Sequence, residues 1–78
     1  MLRSYAGVIG FASGHSLVEC VVQNASASGA QLRVADAAII PKEIQLQDET
    51  TAHPRLASVV WRRTGVIGVR FHDYFLRR

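Results

Sequence analysis

The stretch RLASVVWRRTGVIGVRF, residues 55–71, contains two alternating segments separated by a turn. Residues at every second position are apolar in each segment, which is the period of a β-strand with one buried face. Thr64-Gly65 lies between the segments and is typical of a turn. The stretch therefore predicts a β-hairpin. The residues predicted to face the core are Ala57, Val59, Trp61, Ile67, Val69 and Phe71.

The same period of two extends through the rest of the chain. Alternation predicts further strands at residues 5–11, 16–23, 29–34 and 43–47. Residues 35–41 are predicted to be a connection, because Pro41 disfavours helix at the residue before it. We predict an all-β fold, a small six-stranded antiparallel β-barrel, because closure removes exposed sheet edges. A short helical turn could follow at the C-terminus, over residues 73–78.

Length and composition limit the class of protein. Seventy-eight residues predict a single domain, residues 1–78, and 49% hydrophobic against 19% charged residues excludes a disordered chain. Cys20 is the sole cysteine, so an intramolecular disulfide is excluded, and we expect a buried thiol and a cytoplasmic location. The longest uncharged run, residues 4–18, is shorter than a spanning helix and interrupted by glycine, so we expect no membrane insertion.

The charge is unevenly distributed. The net charge is +3, with nine basic and six acidic residues, and eight of the nine basic residues are arginine. Residues 1–54 hold three basic and five acidic side chains, whereas residues 55–78 hold six arginines and Asp73. Guanidinium groups bind phosphate through two parallel hydrogen bonds, so an anionic partner is permitted, although solubility alone explains a net charge of this size.

Residue patterns typical of catalysis or metal binding are absent from the sequence. His15, His53 and His72 lie in separate turns or termini, and Cys20 has no second thiol nearby. Catalytic and metal sites need a nucleophile with a base, paired carboxylates or closely spaced ligands. We therefore expect no enzyme activity, no metal and no cofactor.

One turn has residues suited to a ligand. Asn24-Ala25-Ser26-Ala27-Ser28-Gly29 separates two predicted strands. The side-chain oxygens of Asn24 and Ser26, together with the backbone near Gly29, can approach an anion or the edge of a base. An ordinary polar turn is the alternative interpretation.

Several segments in order resemble the PilZ domain, a small bacterial β-barrel. They are Cys20 with the Asn24-x-Ser26-x-x-Gly29-Ala30 turn, then Pro41 with Ile44 and Leu46, then Val59-Val60-Trp61-Arg62, then Ile67-Gly68-Val69-x-Phe71. The resemblance covers residues 20–71. It implies a regulatory, non-catalytic signalling module, and the family role is binding of cyclic di-GMP, a nucleotide second messenger.

The resemblance also implies which residues would bind the ligand. Asn24, Ser26 and Gly29 match one of the two family elements, an Asp/Asn-x-Ser-x-x-Gly turn. The second element, an upstream Arg-x-x-x-Arg, is missing, since Arg3 is the sole basic residue before Asn24 and Gly7 stands four residues later. Loss of two guanidinium contacts to phosphate and guanine would weaken binding strongly.

Three functions follow as hypotheses. The first is a PilZ-like module whose cyclic di-GMP affinity is weak or lost and whose partner is a protein. The second retains cyclic di-GMP at Asn24, Ser26 and Gly29, with an arginine recruited from Arg3, Arg62, Arg63 or the Arg77-Arg78 tail. The third is a barrel that binds single-stranded nucleic acid through arginines and aromatic side chains. It is disfavoured because Trp61 is expected in the core.

Overall fold

The structure, a computed structural model, describes residues 4–12 and 15–72. The expected ligand residue Arg3, the predicted C-terminal helical turn and the Arg77-Arg78 tail lie outside these residues. Six strands are present, and their bounds differ from the predicted ones by one residue at most. They are β1 (Ser4–Phe11), β2 (Ser16–Gln23), β3 (Gly29–Arg33), β4 (Glu43–Asp48), β5 (Arg55–Arg63) and β6 (Val66–Phe71).

The strands form a closed antiparallel barrel in the order β1-β2-β3-β6-β5-β4. Closure is made by β1 and β4, where Ile9 pairs with Leu46. The predicted six-stranded antiparallel barrel is thereby confirmed. Because β2 is followed in the barrel by β3 and then by β6, the turn after β2 lies beside the end of β6, far from it in sequence.

The core lies inside the barrel and is aliphatic, with Phe71 as its largest side chain. Among the described residues no polar or charged side chain is buried. The alternation in β2, β3, β4 and β6 is confirmed, and Cys20 is buried as expected. The largest fully enclosed side chains are Ile9, Val22, Leu32, Ile40, Leu46, Ile67 and Phe71.

The alternation in β5 ends at an irregularity, and the prediction that Trp61 faces the core is wrong. Val59 pairs with Val69, but Trp61 pairs with Gly68, so Val60 is an extra residue between them. An extra residue in one strand of a pair is a β-bulge, and it reverses the faces of the residues that follow. Trp61 is therefore on the outer face, with 37% of its surface exposed.

The connection between β3 and β4 contains a 3-10 turn, Ala37–Ile39. Asp36 caps it, because its carboxylate accepts a hydrogen bond of 3.0 Å from the Ala38 amide. Arg62, reoriented after the bulge, donates to the carbonyl oxygens of Ala37 and Ile40 at 2.8 and 2.5 Å. No helix within residues 4–12 and 15–72 has the length and hydropathy needed to cross a membrane.

Candidate functional site

The candidate site is the loop Asn24–Ser28, which joins the end of β2 to the start of β3. Asn24 takes a left-handed backbone conformation, with φ of 51°, which asparagine tolerates better than most residues. Its amide nitrogen donates to Gln31 Oε1 at 2.8 Å. The Asn24 side chain therefore lies along the outside of β3, with its amide nitrogen already paired.

Ser26 bonds within the same loop. Its amide donates to the Gly29 carbonyl oxygen at 2.8 Å, and its hydroxyl lies 3.4 Å from that oxygen. The hydroxyl also accepts from the Ser28 amide at 3.4 Å. Such local bonds stabilise a tight turn without any ligand. The loop is thus ordered by its own polar groups, which a ligand would have to compete with.

Gly29 is required by the approach of another strand. A Cβ atom at this position would fall far inside van der Waals contact with the Val69 carbonyl oxygen on β6. The Phe71 amide also donates to the Ser28 carbonyl oxygen at 2.8 Å, so β6 lies close along the loop. The Asn-x-Ser-x-x-Gly pattern therefore has a structural explanation at all three of its positions.

Arg55, at the start of β5, reaches the loop, and sequence reasoning did not identify it. Its Nη2 donates to the Ala27 carbonyl oxygen at 3.2 Å. Its guanidinium carbon lies 3.6 Å from the centroid of the Phe71 ring, a cation–π contact. The nearness of Arg55 to Ala27 depends on barrel closure, which brings together residues 28 positions apart, so no local sequence signal could show it.

Of the arginines proposed as replacements, Arg62 and Arg63 lie elsewhere, and Arg3 and Arg77-Arg78 fall outside the described residues. Gly29 pairs with Arg70 at one end of β6, whereas Arg63 pairs with Val66 at the other end. Four residues of extended strand separate these ends by about 13 Å. Arg62 is also held at the far end, by its bonds to the 3-10 turn. Arg70, across from Gly29, is therefore closer to the loop than either.

A concavity lies away from this loop. It is an open groove of about 810 Å³ against β1 and β2, lined in part by Gly7, Cys20 and Asp48. Burial, and to a smaller extent the charge of Asp48, raises the pKa of the Cys20 thiol to about 11. Cys20 therefore stays a neutral thiol near pH 7 and is a poor nucleophile there.

A polar cluster joins Glu43 at the start of β4, Ser58 within β5 and His72 just after β6. The Ser58 hydroxyl lies 2.9 Å from both Glu43 carboxylate oxygens and also contacts His72 Nε2. Glu43 Oε1 lies 3.5 Å from the same His72 nitrogen. In a catalytic triad the serine and the acid bind different ring nitrogens. Here Ser58 and Glu43 both contact the same nitrogen, Nε2 of His72, so the arrangement is that of a structural hydrogen-bond cluster and not of an activated serine.

The described residues include no group of three or more His, Cys, Asp or Glu side chains placed to hold a metal ion. Comparisons with protein-family models, with curated proteins and with solved structures find no match to this chain.

Proposed function

We propose that this chain is a non-catalytic regulatory module of the PilZ type that acts by binding another protein, with weak or lost affinity for cyclic di-GMP. The observation that carries the proposal is the internal bonding of the loop. Asn24 bonds Gln31, and Ser26 bonds Ser28 and Gly29. A ligand would have to break these bonds without help from the missing Arg-x-x-x-Arg pair.

Exposed apolar side chains support a protein partner. Leu17 on β2 is 69% exposed and Leu56 on β5 is 48% exposed. These strands lie opposite one another in the ring of six, so the two leucines belong to two separate surfaces. Interface cores are apolar and depleted of charge, so each exposed leucine is a candidate centre for a protein interface. A bacterial, cytoplasmic setting fits a signalling module with one thiol and no disulfide.

A second candidate function, retained cyclic di-GMP binding, is favoured by the position of Arg55. Its guanidinium already lies at the loop, bonded to the Ala27 carbonyl oxygen. Arg70, opposite Gly29, adds a second positive charge beside the loop. These two side chains could supply the phosphate and guanine contacts that the upstream arginine pair gives elsewhere in the family.

Titration with cyclic di-GMP, followed by backbone amide NMR shifts, separates the two functions. The proposal expects no saturable shift at Ser26 and Gly29 below 1 mM ligand, roughly the limit of a specific weak site. Saturable shifts that disappear in Arg55→Ala would instead establish the second function. Asn24→Ala tests independently whether the loop takes part in binding, because it removes the side-chain amide that bonds Gln31.

The protein-binding part has its own test. A partner identified with the wild-type chain is expected to lose most of its affinity for a Leu17→Ser/Leu56→Ser double variant. Both side chains are exposed, so the variant should fold normally. Undiminished affinity of that partner would place its binding surface elsewhere.

A further inference from the structure

The outer surface of β3, β6 and β5 carries three arginines and the single tryptophan of the chain. Strand pairing arranges these residues in three parallel rows. The rows are Arg33-Val66-Arg63, Gln31-Gly68-Trp61 and Gly29-Arg70-Ser58. We name Arg33, Arg63, Arg70 and Trp61 the arginine–tryptophan face. Strand spacing gives it dimensions of about 10 Å across and about 13 Å along the strands.

Trp61 lies flat because of two features of its surroundings. The bulge at Val60 turns it outward, and Gly68 across from it has no side chain. A Cβ atom at Gly68 would overlap the indole ring, so the ring covers the bare backbone of β6. The result is an aromatic surface that is half-buried against the sheet and 37% exposed. Ordered, partly exposed rings of this kind are the platforms on which unpaired bases stack.

The positive charges on this face are not neutralised by neighbours in the described structure. None of the residues in the three rows is acidic. Within residues 4–12 and 15–72, neither Arg33 nor Arg70 forms an ion pair or side-chain hydrogen bond. Arg63 contacts the Trp61 ring, with its guanidinium carbon 5.3 Å from the ring centroid. Glu43, beyond Ser58 on β4, is held by Ser58 and His72.

We propose that the arginine–tryptophan face binds single-stranded nucleic acid. A base would stack on the exposed face of Trp61 in place of the Arg63 guanidinium. Arg63 would then turn to the neighbouring phosphates, together with Arg70 and Arg33. The bases must be unpaired, because a duplex hides the faces that stack. The proposal goes beyond the regulatory function above and does not depend on cyclic di-GMP, whose expected site is the Asn24–Ser28 loop.

The single tryptophan provides a direct measurement. Titration with a 12-nucleotide oligo(dT) in 20 mM salt is expected to quench Trp61 fluorescence saturably. Three phosphate contacts predict a slope near −2 for the logarithm of affinity against the logarithm of salt concentration, at about −0.7 per contact. The duplex of the same length with oligo(dA) should bind at least tenfold more weakly.

Variants test the position of the charges, with labelled oligonucleotide and anisotropy as the readout. Arg63→Ala should lower the affinity about tenfold and reduce the salt slope by about 0.7. Gln45→Glu lowers the net charge by the same amount as Arg63→Ala. Gln45 lies on the outer face of β4, outside the arginine–tryptophan face, so this variant should leave the salt slope unchanged. Trp61→Ala should lower the affinity roughly fivefold to a hundredfold, the range expected for one stacked base.

Three results would overturn the proposal. One is the absence of saturable quenching by oligo(dT) at 20 mM salt. Another is equal loss of affinity in Arg63→Ala and Gln45→Glu, which would show a response to net charge alone. The third is saturable quenching by cyclic di-GMP without any by oligo(dT), which would assign the face to a dinucleotide. Circular dichroism of each variant establishes that it is folded.

Discussion

Gly29 matches a ligand-binding pattern, yet the backbone of β6 is sufficient to explain it. Gly29→Ala would push a Cβ atom into the Val69 carbonyl oxygen, and backbone atoms cannot move aside as a flexible side chain can. We expect a loss of about 1–3 kcal/mol in the free energy of unfolding, the usual cost of overpacking. Denaturant titration followed by circular dichroism measures it.

Gly10→Ala is the matched control, since it also places a methyl group in a strand. Its new Cβ would lie 3.5 Å from Leu17 Cδ2, an ordinary contact. We expect a change within about 0.5 kcal/mol. Equal stability of Gly29→Ala and wild type would show that packing does not require this glycine, and a ligand would then be the better explanation.

Cys20 makes a second prediction at the residue scale. A pKa of about 11, raised from 9.0 by burial and by Asp48, lowers the thiolate fraction at pH 8 about a hundredfold. Labelling by a thiol reagent at pH 8 should therefore be at least that much slower in the folded protein than after unfolding in urea. Rapid labelling of the folded protein would contradict the buried position of Cys20.

The raised pKa of Cys20 also predicts how the free energy of unfolding changes with pH. The unfolded chain loses the thiol proton near pH 9, whereas the folded chain keeps it until about pH 11. The contribution of Cys20 is therefore complete below pH 9 and is lost as pH rises to 11. The difference in unfolding free energy between wild type and Cys20→Ala should fall across this window and stay constant between pH 6 and 8.

At the scale of single elements, the turn held by Arg62 is the clearest case of a side chain that fixes a connection. Arg62 donates to the carbonyl oxygens of Ala37 and Ile40, which bracket the 3-10 turn. Arg62→Met keeps an unbranched side chain and removes both bonds. We expect the unfolding free energy to fall by about 1–3 kcal/mol, because these bonds involve a charged donor.

Hydrogen exchange locates the effect of Arg62→Met. The Ile39 and Ile40 amides, which bond within the turn, should exchange faster. Amides of the paired strands β1 and β2, such as Ile9 and Val18, should change only with global stability. An unchanged rate at Ile39 and Ile40 would show that Asp36 and the strands hold the turn without Arg62.

The elements also show what the sequence can predict and why it fails elsewhere. Alternation predicted the six strands and the buried faces of β2, β3, β4 and β6, because a closed barrel imposes a period of two. It misplaced Trp61, since the letters Val59-Val60-Trp61 are equally compatible with a regular strand and with a bulge. Arg55 and Arg70 were missed for another reason: their closeness to the loop arises from the order of strands around the barrel.

At the scale of the whole molecule, the radius of gyration is 11.5 Å, which matches the value of about 11.5 Å expected for a compact domain of this length. The strands form one ring, so no group of strands has a core of its own. The core is shared by all six strands. These features predict that the six-stranded barrel unfolds as a single cooperative unit.

Two probes on opposite sides of the barrel test this cooperativity. Trp61 lies on β5 and Cys20 on β2, three places apart in the ring of six strands. In urea, the fluorescence of Trp61 and the pulse labelling of Cys20 should give the same midpoint and the same slope, as two-state unfolding requires. If the thiol became accessible at a lower urea concentration than the fluorescence transition, the β1–β2 hairpin would be a separate unit. The closed ring argues against that outcome. Separating β2 from β3 would break their pairing and expose Val22 and Leu32, which are fully buried in the folded barrel.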